Sequence, residues 1–155
     1  MIKAIHKNIA DISAQHKNQH EGYEYYKRQL IPLGYAEQCH ISLYEIPPGK
    51  AGYPYHYHMK NEETFFIIRG KGLLKTPSGN REVSAGDFLF FPANEGGAHK
   101  LTNISETEML EYLDFSTYNK IDVAIHPDSE KAVIWGEDIN KVFRLKEEVD
   151  YYDGE

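Results

Sequence analysis

From residue 40 onward the chain breaks into short apolar runs separated by turn residues, and this rhythm limits what it can fold into. HISLYEI is followed by PPGK, ETFFIIR by GKG, LLKT by PSGN, and EVSAGDFLFF by PANEGG. Runs of about five residues, rich in Phe, Ile, Leu and Tyr and bounded by Gly, Pro and Asn, are too short for good helices and predict an antiparallel barrel or sandwich. TPSGN (76–80) is the clearest hairpin, because Ser-Gly-Asn tolerates positive φ between two strand-like runs. TEMLEYLDFST (107–117) continues the pattern, and DVAIHPDSEKAVIWG (122–136) predicts two strands around His126-Pro-Asp-Ser. Before residue 40, NIADISAQ allows one or two helical turns and residues 25–31 are read as an added strand. The tail EEVDYYDGE is either frayed or docked through Tyr151 and Tyr152.

A chain of 155 residues has room for one core, and 41% apolar with 13% aromatic residues, twelve of them tyrosines, argues for a packed, strand-rich domain rather than disorder. Twenty-four acidic against seventeen basic residues give a net charge of −7 with no basic run, which argues against nucleic acid or an anionic membrane as partner. The opening MIKAIHKNIADIS lacks the apolar core of a signal peptide and no run is long enough to span a bilayer, so a cytoplasmic protein is expected. Cys39 is the only cysteine, which rules out an internal disulfide and a multi-thiolate zinc site. It is read as a small buried hydrophobe, and any metal must be held by His and carboxylate.

The stretch PYHYHMKNEETFFIIRG (54–70) supplies both. In an extended strand His56 and His58 point to one face with Cβ atoms roughly 6 to 7 Å apart, a spacing at which two imidazoles bind one ion. Glu62 or Glu63, opening the next strand-like run, can add a carboxylate. Tyr53, Tyr55 and Tyr57 alternate with the histidines and are expected to point away from them. A second stretch, GDFLFFPANEGGAHKLTN (86–103), closes an apolar run with Pro92 and presents His99 after a loop with paired glycines.

Together the two stretches resemble the cupin superfamily of small jelly-roll barrels. The family's first motif reads G-x(5)-H-x-H-x(3,4)-E-x(6)-G and its second G-x(5)-P-x-G-x(2)-H-x(3)-N. His56-x-His58-x(4)-Glu63-x(6)-Gly70 follows the first from its first histidine onward, and Gly86-x(5)-Pro92 and His99-x(3)-Asn103 follow the two ends of the second. The chain departs at two places. The opening glycine falls on Lys50, between Gly49 and Gly52, and six residues rather than four separate Pro92 from His99. The resemblance implies an all-β fold, a double-stranded β-helix (jelly-roll) barrel over 40–117, with 1–39 as an N-terminal arm of the same domain and 118–155 as C-terminal strands and acidic tail. It also implies that His56, His58, Glu63 and His99 bind one divalent metal; only Glu63, not Glu62, leaves six residues before Gly70.

Such a ligand set suits an octahedral Mn, Fe, Co or Ni ion with about two open positions, or Zn with fewer. The expected partner is a small polar molecule. Family habit and the tyrosine-rich segment YEYYKRQLIPLGY imply a homodimer, which would also cover exposed strand edges. Two functions compete: an enzyme of dioxygenase, isomerase or decarboxylase type, and a non-catalytic binding or sensor module for a sugar or organic acid. A storage-like barrel ranks behind both, since it has no use for a complete ligand set. On the strand 107–117, Glu111 is a substrate-binding candidate if its face is inside, and Tyr112 takes that role if the Leu110 face is inside. His16 and His20 are read as a solvated pair, His6, His40 and His126 as surface or structural residues, and Trp135 as outer packing.

Overall fold

The computed structural model describes residues 2–155. Two-residue alternation turns the apolar runs into strands, numbered here in chain order: β1 (Gln15–His20), β2 (Tyr23–Ile31), β3 (Cys39–Ile46), β4 (Tyr57–His58), β5 (Glu63–Arg69), β6 (Lys71–Thr76), β7 (Gly79–Ser84), β8 (Phe88–Phe91), β9 (Lys100–Asn103), β10 (Leu110–Thr117), β11 (Asp122–His126), β12 (Lys131–Trp135) and β13 (Asn140–Arg144). The fold is an all-β jelly-roll barrel. Among the described residues helix is confined to single 3-10 turns at Ile9–Asp11, Glu95–Gly97, Pro127–Ser129 and Leu145–Glu147. No helix among the described residues is long and apolar enough to cross a membrane.

Three sheets form the walls, with strand orders β1-β2-β3-β10-β5-β8, β7-β6-β9 and β13-β12-β11-β4. The TPSGN hairpin forms as expected, with Thr76 opposite Gly79 and Gly79 at φ 109°. EVSAGDFLFF, which reads as one run, is two strands: Gly86 adopts φ 94° and Asp87 caps the turn by accepting from Ser84 N at 2.6 Å. The first departure from the family pattern resolves into a turn, in which Lys50 N donates to Pro47 O at 3.2 Å and Gly49 takes φ 71°. Residues 15–20, where a helix would have put His16 and His20 on one face, are a fully exposed edge strand instead. In the tail, Tyr151 and Tyr152 stand 87% and 75% exposed, so it does not dock through them.

The core lies at one end of the barrel, where Ile46, Ile67, Leu74, Val83, Leu101 and Leu110 pack with Tyr44, Phe65, Phe91 and Tyr112. Gly70 lets the β5–β6 corner approach β10: it has φ 85°, and a Cβ there would lie 2.5 Å from the Met109 carbonyl oxygen. Hence the glycine that ends the first motif is needed for both conformation and space.

Candidate metal centre and cavity

Glu63 opens β5 facing the barrel interior, and its Oε2 is the focus of the site. His56, His58 and His99 place their Nε2 atoms 3.6, 3.5 and 3.4 Å from that one oxygen. The donor atoms of His56, His58 and Glu63 lie within 4.8 Å of one another. Glu63 Oε2 is buried and has no hydrogen-bond partner among the described residues. An unpaired buried carboxylate oxygen is costly unless something cationic meets it. His99 joins this group through its contact to Glu63 Oε2, and contacts of 3.4 to 3.6 Å are long for hydrogen bonds and leave room between the donors for an ion.

The other nitrogen of every imidazole is engaged. His56 Nδ1 lies 2.8 Å from Pro54 O, His99 Nδ1 2.9 Å from Gly97 O, and His58 Nδ1 2.5 Å from Asp122 Oδ2. With Nδ1 donating to these acceptors, the neutral rings turn lone pairs on Nε2 toward Glu63, as metal-ligating histidines do. Asp122 is itself fixed by Lys60 N at 2.9 Å and is 2% exposed. The residues present therefore fit a divalent metal.

Backbone pairing holds the two ligand-bearing segments together. His56 N donates to His99 O at 3.1 Å and His99 N to His56 O at 2.9 Å, while Asn94 N donates to His58 O at 2.8 Å. The longer loop after Pro92 folds inward as a 3-10 turn capped by Asn94, whose side chain accepts from Gly96 N. The turn closes so tightly that a Cβ on Gly97 would sit 1.9 Å from Pro92 O. His99 emerges 2% exposed and on the same face as Leu101 and Asn103. Asn103 fixes that phase by donating to Ile46 O and Glu108 O, each at 2.8 Å, and accepting from Ser105 N at 2.9 Å.

Burial sets the protonation of the cluster. It lowers the His99 pKa to about 4 and lowers that of His56. Burial would also lower His58, but the Asp122 hydrogen bond and Glu63 leave it raised. For Glu63 burial acts upward, and the imidazoles of His99, His58, His56 and His40 outweigh it and hold the carboxyl below its ordinary value.

The cluster opens into a cavity of about 370 Å³. The register of β3, β10 and β5 sets one wall: His40, Ser116 and Glu63 lie opposite one another in one row, and Ser42, Asp114 and Phe65 in the next. On β10, Tyr112, Asp114 and Ser116 face inward. Glu111 faces out and lies 3.7 Å from Arg69 Nε, so of the two substrate-binding candidates only Tyr112 lines the cavity. Asp114 is 5% exposed and accepts from Ser116 Oγ at 2.6 Å. Burial, reinforced by Glu63, pushes its pKa up to about 7.

Tyr53, Trp135, His126 and His40 do not lie where the sequence alone places them. Tyr53 turns into the cavity, 6.3 Å from the His56 ring, and hydrogen-bonds Tyr44 Oη at 2.9 Å. Residues 53–55 are not a regular strand, so alternation does not carry back beyond His56. Trp135 is no outer packing residue: it stacks on His58 at 5.5 Å. His126 stacks on His56 at 5.5 Å, and its buried Nδ1 is unpartnered. Only the antiparallel pairing of β11 with β4 and β12 brings these distant residues over the ligands, and no local signal marks it. His40 lines the cavity, and Cys39 is half-buried at the start of β3.

The Cupin domain family model matches residues 42–116. Among solved structures, a protein of Acidithiobacillus ferrooxidans assigned as a sugar phosphate isomerase is similar, with a TM-score of 0.81 and 26% identity, covering 92% of this chain and 91% of that one. A sugar phosphate isomerase of Silicibacter pomeroyi superposes with a TM-score of 0.81 at 20% identity, covering 94% of this chain and 96% of its own; that likeness is one of fold. In sequence, an uncharacterized protein of Aquifex aeolicus is 27% identical over 104 residues, 67% of this chain and 78% of the relative.

Proposed function

The chain belongs to the cupin superfamily, and from that premise we propose that it is a metal-dependent enzyme of the isomerase class, acting on a small polyhydroxylated carbonyl compound. The observation that carries this reading is the unpaired, buried Glu63 Oε2 with three imidazole Nε2 atoms around it. His56, His58, Glu63 and His99 would hold the ion, which when bound supplies Lewis-acid polarisation of a carbonyl oxygen.

Isomerisation also needs a group that takes a proton from one carbon and returns it to the next. Asp114 is suited to that role. Ser116 Oγ fixes its Oδ1, the carboxyl lines the cavity, and it titrates near neutrality, where it can both accept and give a proton. Tyr112 and Tyr53 offer hydroxyls on the same cavity for orienting the substrate, and Trp135 offers a ring face over His58. The likeness to the Acidithiobacillus ferrooxidans protein supports an isomerase over the dioxygenase and decarboxylase alternatives.

The test is solvent-deuterium incorporation. Protein loaded in turn with Mn(II), Fe(II), Co(II), Ni(II) or Zn(II) is incubated in deuterated buffer with aldose and ketose substrates and followed by NMR. The expected result is carbon-bound deuterium at the position next to the carbonyl, lost in Asp114→Asn. Metal binding without exchange for any substrate would leave a non-catalytic binding module in its place.

We also read the protein as a homodimer. Phe66, Ile68, Phe88, Phe90 and Phe115 stand exposed on the outer face of the six-stranded sheet, a patch that a second copy would cover. Light scattering giving a monomer mass at micromolar concentration would overturn this.

A further inference from the structure

Three lysines line the cavity: Lys27, Lys100 and Lys120. Two are engaged. Lys100 Nζ lies 5.1 Å over the Tyr23 ring and 3.5 Å from its hydroxyl, and Lys120 Nζ lies 3.1 Å from Glu137. Lys27 makes no ion pair or hydrogen bond among the described residues. Its neighbour Arg28 points to the opposite face of β2 and pairs with Glu45, so alternation sends Lys27 inward, where its Nζ sits 5.1 Å over the Tyr44 ring. A half-buried ammonium with a single aromatic face beneath it keeps its donors free. Burial lowers its pKa, and Asp114 and Glu63 act to raise it again.

We propose that Lys27 anchors an anion-binding subsite on the β2–β3 wall, taking the anionic terminus, phosphate or carboxylate, of a sugar-sized substrate whose carbonyl end faces the imidazole cluster. This rests on the reading of that cluster as the reacting end of the cavity. β2 and β5 are separated by β3 and β10, about 14 Å along the sheet at 4.8 Å per strand step, and the curl of the barrel shortens that span across the cavity. His40, also on the cavity wall and close enough to feel the Lys27 charge, supplies a second polar contact on the same side. A divalent ion at Glu63 on β5 and Lys27 on β2, three strand steps apart in one sheet, would select a ligand that is anionic at one end and a hydroxy-carbonyl at the other.

Calorimetric titration of the Mn(II)-loaded full chain with glucose, glucuronate and glucose 6-phosphate tests the subsite, since these differ at the terminus remote from the carbonyl. At least one of the two anionic sugars is expected to bind at least about tenfold more tightly than glucose, about 1.4 kcal/mol. Whichever binds more tightly identifies the terminus as phosphate or carboxylate. Lys27→Met should erase the preference while metal affinity and melting temperature hold, and Lys27→Arg should keep most of it. Equal binding of all three sugars by the wild-type protein, or a preference that survives Lys27→Met, overturns the subsite and leaves Lys27 as a charge balance for Asp114. Retained preference with no deuterium exchange would overturn the isomerase reading alone.

Discussion

The two ends of the barrel are built from the same strands and differ in almost everything else. Along the inner face, β5 runs Glu63, Phe65, Ile67; β10 runs Ser116, Asp114, Tyr112, Leu110; β3 runs His40, Ser42, Tyr44, Ile46; and β9 follows His99 with Leu101. β5, β10 and β3 each pass from ionisable or hydroxyl groups through an aromatic ring to aliphatic side chains, and on β9 the step from His99 to Leu101 is direct, with Asn103 beyond it tying β9 to Ile46 O and Glu108 O. The aliphatic end supplies the burial that stabilises the fold, so the polar end is free to keep groups that are poor for stability, such as an unpaired carboxylate and a carboxyl pushed toward neutrality. Stability and chemistry are thus separated along the strand axis rather than between domains.

That separation can be broken most directly at its aliphatic end. Ile67→Ala, at a fully buried position, should cost about 2 to 5 kcal/mol of unfolding free energy in a urea titration. The metal affinity of the folded variant should stay within about twofold of wild type. A loss under about 1 kcal/mol would show that the two ends are not divided in this way.

At the polar end the expectation reverses. His99→Ala should weaken metal binding at least tenfold, about 1.4 kcal/mol by calorimetry, with the metal-free protein as stable as wild type or more so. Unchanged affinity would mean that His99 is not a ligand.

The polar end should also govern how metal-free stability depends on pH. His99, held at about 4 against an ordinary 6.5, binds fewer protons folded than unfolded, so its contribution is full above pH 6.5 and is lost as pH falls toward 4. Asp114, raised from 3.8 to about 7, binds more protons folded, so its contribution is lost as pH rises across that window. The two slopes oppose each other between about pH 4 and 6.5. Asp114→Asn should unmask the His99 slope, making stability rise more steeply with pH by up to about 1.4 kcal/mol per unit. The same urea series at pH 4.5 and 6.5 measures this, and parallel profiles for the two proteins would contradict it.

The smallest effect belongs outside the barrel wall. Glu111→Gln should change stability by less than about 0.5 kcal/mol and leave metal affinity alone, because the ion pair Glu111 makes is with an exposed arginine at 3.7 Å. A tenfold loss of metal affinity would place Glu111 in communication with the site.

The strands and the grouping of His56, His58 and Glu63 could be read from sequence because both depend on short, fixed spacings. Two residues put His56 and His58 on one face, and six residues carry Glu63 to the Gly70 corner. The phase of β10 was not legible, since its two faces offer Tyr112 or Glu111 with comparable patterns. Asp114 and Ser116, two and four residues past Tyr112 on that face, are the signal that distinguishes it: two polar groups in line with an aromatic mark a wall of a polar cavity. Lys27, Tyr53, His126 and Trp135 lie beyond local reasoning. They reach the cavity only through register with strands far away in the chain, or through an irregular segment to which alternation does not apply.

Gly97 carries a lesson about how chains of this kind are found. A loop two residues longer than the family pattern delivers its histidine to the same place because the surplus is wound into one turn, which only a residue without a side chain lets close against Pro92. A search that fixes the interval between proline and histidine at four would pass over this chain. One that allows six whenever Asn stands two places, and Gly five places, after the proline would retain it, so the spelling of the loop identifies a site more securely than its length.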